Sequence, residues 1–386
     1  MKNQHTNTVS SSSDSSRRFF GSLESVRFIC AATVAFFHAT WVSHVTYLRP
    51  FQNAWVLVDF FFVLSGFVIF NAYGRMDRSL GSSVSFVIKR IFRLYPLHFA
   101  TLLGVGVIQF IAWKFLGKED PFGGDWLYLL TLNLTMSHAI GLAEQPILNI
   151  PSWSISTEFY AYLVFLFACI LARTAMIRML ILASLACVGF VAMRVYHQEY
   201  GLLLPVTASL ARCIFSFGLG VLTFSVFDKH NDGWSALTST IVLCCCFIFS
   251  VVMMASCDPK SAYLLSMPFC FAMSIYALVK DSGSWISRAL EAKWLLYMGK
   301  RSYSIYLNHV MVLMLVSFAV SQFSKGKIDV GHLQSLHQIN VWAGDACLLV
   351  YLISLTLVSV ITYRWIEEPG RLKGKKFADA AKRFLG

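Results

Sequence analysis

The sequence predicts an all-α fold: a polytopic transmembrane helical bundle of about ten spanning helices plus one short re-entrant or interfacial segment. Composition and hydropathy lead to this prediction. Of the 386 residues, 57% are hydrophobic and only 13% are charged, and the mean hydropathy is +0.62. The apolar residues are grouped in long runs, and about 20 residues suffice for one helix to cross a bilayer. This composition excludes a soluble globular domain.

The apolar runs define the predicted spans in chain order. They occupy residues 28–48, 54–73, 94–116, 126–140, 153–172, 176–196, 206–227, 234–256, 261–279, 303–323 and 340–363. The fourth run contains Asn133 and His138 and is shorter than the roughly 20 residues that a span requires. We therefore interpret it as the re-entrant or interfacial segment. Ten spans remain, an even number that places both termini on one side of the membrane.

The distribution of charge supports this count. Lys and Arg number 32 against 20 Asp and Glu, which gives a net charge of +12. With ten spans, most basic residues lie on the side of the termini, as the positive-inside rule requires of cytoplasmic segments. The chain therefore divides into a cytoplasmic tail at 1–27, one membrane domain at 28–363 and a basic cytoplasmic tail at 364–386. Since the charge excess reflects topology, nucleic acid is not an expected partner.

The sequence gives no support for metal or disulfide chemistry. Most of the ten Cys lie in apolar runs, without a CxxC pair or Cys/His ligand spacing, so we interpret them as small buried hydrophobic residues. An HExxH motif is absent, and no metal is predicted. The N-terminal segment is Ser-rich and polar, unlike a cleaved signal peptide, so the first span is expected to remain as an anchor.

Ionisable groups inside a membrane span are costly and are therefore functional candidates. The first span has Arg27 near its cytoplasmic start and His38 eleven residues later. Eleven residues are close to three full helical turns, so both side chains share one face, and His38 lies about 16 Å deeper than Arg27. The alternative for His38 is a buried histidine that only bonds a neighbouring helix.

Three further ionisable residues lie within the spans. Asp59 either pairs with a cation such as His38 or Arg212 or is a structural carboxylate at a helix interface. Glu158 lies about 8 Å below the outer surface by helical rise, too deep for free solvation, which favours a functional role. Arg212 requires an anionic partner at its depth, and Glu158 and Asp59 are the candidates.

The remaining candidates lie near the ends of spans. Arg90 and Arg93, three residues apart, present two guanidinium groups on one helix face. They either anchor the topology or bind phosphate oxygens of a soluble donor. Tyr303 and His309 lie within two or three turns of the cytoplasmic face, where Tyr303 is equally explained as an interfacial aromatic. Ser152 is a candidate helix cap.

Five short motifs occur in order along the chain. They are R-x10-H (Arg27, His38), DFFFVLSGF (Asp59), R-x-x-R (Arg90, Arg93), SWSISTEFY (Ser152, Trp153, Glu158) and SYSIYLNH (Tyr303, His309). With these motifs and WIEEP at 365–369, the sequence resembles acyltransferase family 3, the bacterial integral-membrane acyltransferases that O-acetylate surface polysaccharides and related sugars. The resemblance covers nearly the whole chain.

The resemblance implies a membrane O-acyltransferase of the bacterial inner membrane. Such an enzyme transfers an acyl group, with acetyl as the first expectation, from cytoplasmic acyl-CoA to a hydroxyl of a surface or exported glycan. Exopolysaccharide, O-antigen or a lipid-linked sugar are acceptors of this kind. Acetyl-CoA is then a donor substrate, no cofactor is permanently bound, and membrane lipid surrounds the bundle.

The resemblance also assigns roles to the candidates. His38 is the predicted general base for the acceptor hydroxyl, and Glu158 or Asp59 either orients His38 or holds the acceptor. The predicted donor-binding residues are Arg27, Arg90 and Arg93. The predicted supporting residues are Arg212, Tyr303, His309, Ser152 and Trp153. A covalent acyl intermediate on His38 or on a serine is an alternative route.

Two other classes of function compete with this interpretation. A proton-coupled transporter of a sugar or lipid-linked oligosaccharide also places His, Arg and carboxylates at mid-membrane, but no inverted repeat is visible. A non-catalytic scaffold of a polysaccharide assembly complex predicts that replacing His38 leaves the phenotype intact. The acceptor, the length of the acyl group and the oligomeric state stay open.

Overall fold

The computed structural model describes residues 20–39, 41–117, 120, 125–143, 148–200, 206–230, 232–258, 261–323 and 340–386. Most of the predicted N-terminal tail, residues 1–19, lies outside these ranges. Within them the chain is helical, and its β-structure is limited to one isolated bridge between Trp234 and Asp281. The helices are α1 (Gly21–His38), α2 (Arg49–Gln52), α3 (Val58–Tyr73), α4 (Leu80–Leu116), α5 (Trp126–Leu134), α6 (Ser152–Leu171), α7 (Ala175–Tyr200), α8 (Val206–Lys229), α9 (Ala236–Ser256), α10 (Met267–Lys280), α11 (Trp285–Leu290), α12 (Lys293–Gly299), α13 (Ser302–Phe323), α14 (Val341–Thr362) and α15 (Glu368–Leu385).

Nine helical segments of the described chain are long and apolar enough to cross a membrane. The helix α1, with 18 residues, packs against α13 but is not one of these nine segments, whereas the sequence predicted about ten spans. The helix α5 has only nine residues, about 14 Å of helix, and is too short to span. The prediction of an all-α polytopic bundle is therefore confirmed.

The first helix differs from its predicted span. It begins at Gly21, before the predicted start at residue 28, and Leu23 in its first turn packs in the core with 4% exposure. It ends at His38, although the apolar run continues to residue 48. Beyond it, Thr46 Oγ1 donates to the carbonyl of Trp41 (2.7 Å) and accepts from the amide of Ser43 (2.9 Å). Such side-chain bonds compete with helical ones, so His38 lies at a helix end rather than inside a helix.

The helices α3 and α8 cross with their backbones in contact. A Cβ atom added to Gly66 would lie 1.9 Å from the carbonyl oxygen of Phe217, and one added to Gly220 would lie 1.9 Å from that of Val63. Only glycine permits this approach, as is common where small residues meet at helix crossings in membranes. The crossing fixes the side chains of α3 against those of α8.

A buried arginine joins the ends of α3 and α6. Arg178, at the start of α7, is 2% exposed and donates to the carbonyls of Gly74 (3.1 Å), Met76 (2.6 Å), Cys169 (3.3 Å) and Ala172 (3.1 Å). Carbonyl groups at a helix C-terminus have no partner within the helix, and this guanidinium satisfies them for two helices at once.

The predicted C-terminal tail forms an ordered helix. The helix α15 runs along the first half of α4, where Gly370 and Gly374 lie against Pro96 and Phe92. A Cβ atom at Gly374 would lie 2.2 Å from Cβ of Phe92. The basic residues of the predicted tail therefore lie on a helix, α15, that packs against α4.

Candidate active site

A cavity of about 410 Å³ lies between α1, α3, α4, α6 and α13. The predicted site residues in its wall are Arg27, Arg90, Arg93, Glu158 and Tyr303. The others lie outside the wall, namely His38, Asp59, Ser152, Trp153, Arg212 and His309. The structure thus separates the predicted residues into a group around the cavity and a group behind its wall.

Arg90 is a cation enclosed by aromatic rings. Its guanidinium lies over Tyr73 at 5.6 Å, Phe86 at 5.8 Å and Tyr162 at 5.5 Å. Its Nε atom is buried and has no hydrogen-bond partner within the described ranges. Among the residues described, no carboxylate forms a salt bridge with it. Arg90 therefore faces the cavity without a salt-bridge partner among the described residues, stabilised by ring quadrupoles.

Arg93 has a different environment from Arg90. It forms a salt bridge with Glu367 and lies over the ring of Tyr303 at 5.1 Å. Glu367 is 1% exposed and also accepts from Ser304 Oγ at 2.6 Å. The charge of Arg93 is thus compensated inside the protein. Glu367 belongs to the WIEEP segment, but the sequence did not indicate its partner.

Arg27 forms an ion pair along its own helix. Its guanidinium contacts Glu24 at 3.2 Å, with 24% and 25% of the two side chains exposed. A partly exposed pair of this kind contributes little to stability, so both groups are available to a charged ligand in the cavity.

Glu158 is held in the cavity wall by two hydroxyl groups. Ser65 Oγ donates to Glu158 Oε1 at 2.5 Å, and the hydroxyl of Tyr162 donates to the same oxygen. The hydroxyls of Ser65 and Tyr162 are themselves 2.8 Å apart. In the described part of the chain, the second carboxylate oxygen has no hydrogen-bond donor, and no contact joins Glu158 to His38.

Asp59 and Arg212 form a buried ion pair behind the cavity. Arg212 donates from Nε and from one terminal nitrogen to the two Asp59 oxygens, each at 2.9 Å, and Ser216 Oγ donates at 3.2 Å. The guanidinium also lies over Trp55 at 4.9 Å and over Trp153 at 5.6 Å. Of the partners considered for Asp59, the structure selects Arg212, and Asp59 joins α3 to α8.

His38 and His309 form a pair of imidazole rings. His309 Nε2 lies 3.1 Å from His38 Nδ1, and the ring centroids are 4.7 Å apart. Tyr306 lines the cavity, and its ring is 5.7 Å from that of His309. Its hydroxyl accepts from Ser154 Oγ at 2.9 Å. Tyr306 therefore contacts both the cavity and the histidine pair.

A second histidine pair is buried beside α5. His98 Nε2 donates to the carbonyl of Asn133 at 3.0 Å, and His138 Nε2 lies 3.0 Å from Ser152 Oγ. The two rings are parallel, with centroids 5.7 Å apart. His138 lies in a buried turn that follows α5. Ser152 therefore anchors this turn. Its predicted role as a helix cap is wrong, because Ser152 is the first residue of α6 and, among the described residues, no side chain caps this helix.

In the ranges that the structure covers, no group of three or more His, Cys, Asp or Glu side chains could hold a metal ion.

Comparisons with known proteins agree with one another. The model of a family described as acyltransferase domain matches residues 20–364. The acyltransferase MdmB of Streptomyces mycarofaciens is 29% identical over 281 residues, which cover 67% of this chain and 68% of the relative. Provisionally named O-acetyltransferases of Staphylococcus aureus strains COL and MSSA476 are 23% identical over 393 residues, 93% of this chain and 58% of each relative. The chain thus spans little more than half of the staphylococcal relatives. No solved structure matches it significantly.

Proposed function

This chain belongs to the acyltransferase domain family, and we propose that it moves an acyl group, most simply acetyl, from cytoplasmic acyl-CoA to a hydroxyl of a surface or exported glycan. Its multi-pass membrane bundle provides a route between a soluble donor and an exported acceptor. We place it in the bacterial inner membrane with both termini in the cytoplasm, which the positive-inside distribution of Lys and Arg supports.

The guanidinium of Arg90, which has no salt-bridge partner among the described residues, carries this proposal. A guanidinium without an anionic partner in a cavity wall is a site for an anion, and its planar donors match phosphate oxygens. Arg27, in the same wall, adds a second cation. Acyl-CoA has phosphates at one end and its thioester at the other, and we place the phosphates near these two residues. Arg93 supports the wall through Glu367.

The spacing along α1 fits a donor of this shape. His38 follows Arg27 by eleven residues, about 16 Å along the helix axis. A long flexible arm connects the phosphates of acyl-CoA to its thioester, so the donor can be held at Arg27 while its reactive end approaches His38. Tyr306 lies on this path and must turn aside when the thioester passes.

We assign the role of general base to His38. As the acceptor oxygen attacks the thioester carbonyl, His38 takes the hydroxyl proton. The carbon–sulfur bond then breaks, and the departing thiolate takes that proton from His38, which leaves an ester and free coenzyme A. Glu158, one of whose carboxylate oxygens accepts no hydrogen bond from the described residues, is assigned to the donor arm or to acceptor hydroxyls. Asp59 supports the bundle through Arg212.

The test is O-acetylation in a deletion strain complemented with wild type, His38→Ala or His230→Ala. His230 lies at an exposed helix end and is the matched control. We expect His38→Ala to abolish glycan O-acetylation at normal membrane abundance, whereas His230→Ala retains it. Unchanged acetylation in the deletion strain would refute a glycan acceptor, and retained acetylation with His38→Ala would refute the assigned base.

A further inference from the structure

The hydrogen bonds of the histidine pair define which nitrogen atoms carry protons. A carbonyl oxygen only accepts. His309 Nδ1 faces the carbonyl of Tyr306, so this nitrogen carries the hydrogen. His38 Nδ1 lies 3.0 Å from the carbonyl of Val34 and must also carry a hydrogen. In the neutral pair, His309 Nε2 then has a lone pair directed at the Nδ1–H group of His38.

This arrangement leaves one basic atom. With its hydrogen on Nδ1, the neutral ring of His38 has its lone pair on Nε2, which is the form that a general base requires. The opposite tautomer would place a hydrogen on Nε2 and could not take a proton there. The groups that accept a hydrogen bond from His38 Nδ1–H therefore determine the fraction of the protein in which His38 Nε2 can act as a base.

His309 is held firmly enough to perform this task. It is fully buried, with 0% exposure, and its Nδ1–H group is bonded within α13. The hydroxyl of Tyr351 on α14 lies 3.3 Å from the carbonyls of both Ala35 and His309, which links α1, α13 and α14 around the pair. His38 itself is partly exposed at the end of α1.

The carboxylates are engaged elsewhere. Asp59 bonds Arg212 through both oxygens, and Glu158 bonds Ser65 and Tyr162. In the part of the chain that the structure describes, neither contacts His38. A neutral imidazole thus occupies the place where a carboxylate often holds a catalytic histidine.

We propose that His309 is a positioning residue for His38, which rests on the proposed function of His38 as the base. Together with the carbonyl of Val34, the lone pair of His309 Nε2 holds His38 in its Nδ1–H tautomer, and it accepts a stronger, charge-assisted bond when His38 becomes an imidazolium. His309 exchanges no proton in the cycle. The proton moves from the acceptor hydroxyl to His38 Nε2 and then to the departing thiolate.

The variants His309→Gln and His309→Leu distinguish positioning from packing. Glutamine can place a carbonyl oxygen near the position of Nε2 and accept the bond, whereas leucine has similar bulk and no acceptor. In membrane vesicles of the deletion strain, supplied with radiolabelled acetyl-CoA and containing the native glycan, we expect His309→Leu to lower kcat about 10- to 100-fold. The KM for acetyl-CoA should not change, and His309→Gln should recover most of kcat.

Equal kcat for the two variants at equal membrane abundance would overturn the proposal, as would a wild-type kcat in His309→Leu.

A second measurement does not depend on acyl transfer. In ¹⁵N-histidine-labelled protein, nitrogen NMR distinguishes the two tautomers, and the His38 signals are those lost in His38→Ala. In His309→Leu the Val34 carbonyl is left as the described acceptor for His38 Nδ1–H, so we expect a smaller Nδ1–H fraction there than in wild type and in His309→Gln. An unchanged His38 tautomer in His309→Leu refutes the positioning role. If wild-type vesicles label no glycan while the tautomer shifts as expected, the proposed function fails and the positioning role stands.

Discussion

Replacing Asp59 with asparagine tests whether the buried ion pair supports the bundle or takes part in the chemistry. The side chains of Asp59 and Arg212 are each 6% exposed, and the substitution leaves the guanidinium buried without a counter-charge. Removing one partner of a buried pair costs about 3–5 kcal/mol. Since Asp59 lies outside the cavity lining and, in the described chain, is hydrogen-bonded to Arg212 and Ser216 and to neither histidine of the pair, we expect this cost to appear as instability of the protein.

The expected change in melting temperature follows from chain length. Unfolding entropy of roughly 2.1 cal/mol/K per residue amounts to about 0.8 kcal/mol/K for a chain of 386 residues. A loss of about 3–5 kcal/mol then lowers Tm by roughly 4–6 °C. The assay is the thermal unfolding of the detergent-solubilised protein, with acetyl transfer measured on the folded fraction.

Two further variants complete this experiment. The double variant Asp59→Asn with Arg212→Met removes the unpaired charge, and we expect it to recover at least half of the lost Tm. Asp345→Asn is the matched control, because its pair with His44 is exposed and such pairs contribute about 0–1 kcal/mol. If Asp59→Asn keeps the wild-type Tm and loses acetyl transfer, Asp59 acts in the chemistry and the structural interpretation is wrong.

Two other predictions follow from the cavity wall and the helix crossing. Arg90→Ala should raise the KM for acetyl-CoA about 10-fold or more at normal abundance, because it removes a charge-assisted contact to the donor. Arg93→Ala should instead lower abundance and Tm, because Glu367 is left buried without its cation. Steady-state kinetics and immunoblots test both variants: a lower abundance in Arg90→Ala together with a higher KM in Arg93→Ala would contradict both assignments. Gly66→Ala should prevent α3 from approaching α8 and destabilise the protein by about 1–3 kcal/mol or more. Gly106→Ala, where no described atom lies within 4 Å of the added Cβ, should not lower Tm, because alanine is the better helix former.

The sequence was sufficient for the architecture and for one group of site residues. Apolar runs predict the positions of the membrane spans directly, because a span must be apolar along its whole length. The Lys and Arg residues at the ends of the spans indicate which end of the bundle is basic. Together they predicted that Arg27, Arg90 and Arg93 face one region, and the cavity contains all three.

The pairings could not be predicted in the same way. Helical periodicity gives the depth and the face of a residue but not which helix stands opposite. His38 and His309 are 271 residues apart in the chain, and Arg93 and Glu367 are 274 apart. The sequence therefore left Glu158 and Asp59 as partners for His38, whereas the structure provides His309. For Asp59 the correct partner was among the alternatives, but only the packing of α3 on α8 selected Arg212.

The guanidinium of Arg178 sets the alignment of a site that it does not touch. It is bonded to the last carbonyls of α3 and α6, and the same two helices meet in the cavity through Ser65 and Glu158 at 2.5 Å. Sliding one helix by a single residue moves it about 1.5 Å, enough to break the bonds at both places together. The relative position of the two helices is therefore fixed at two points. If α3 and α6 are misaligned at Arg178, Ser65 and Glu158 are misaligned in the cavity wall as well.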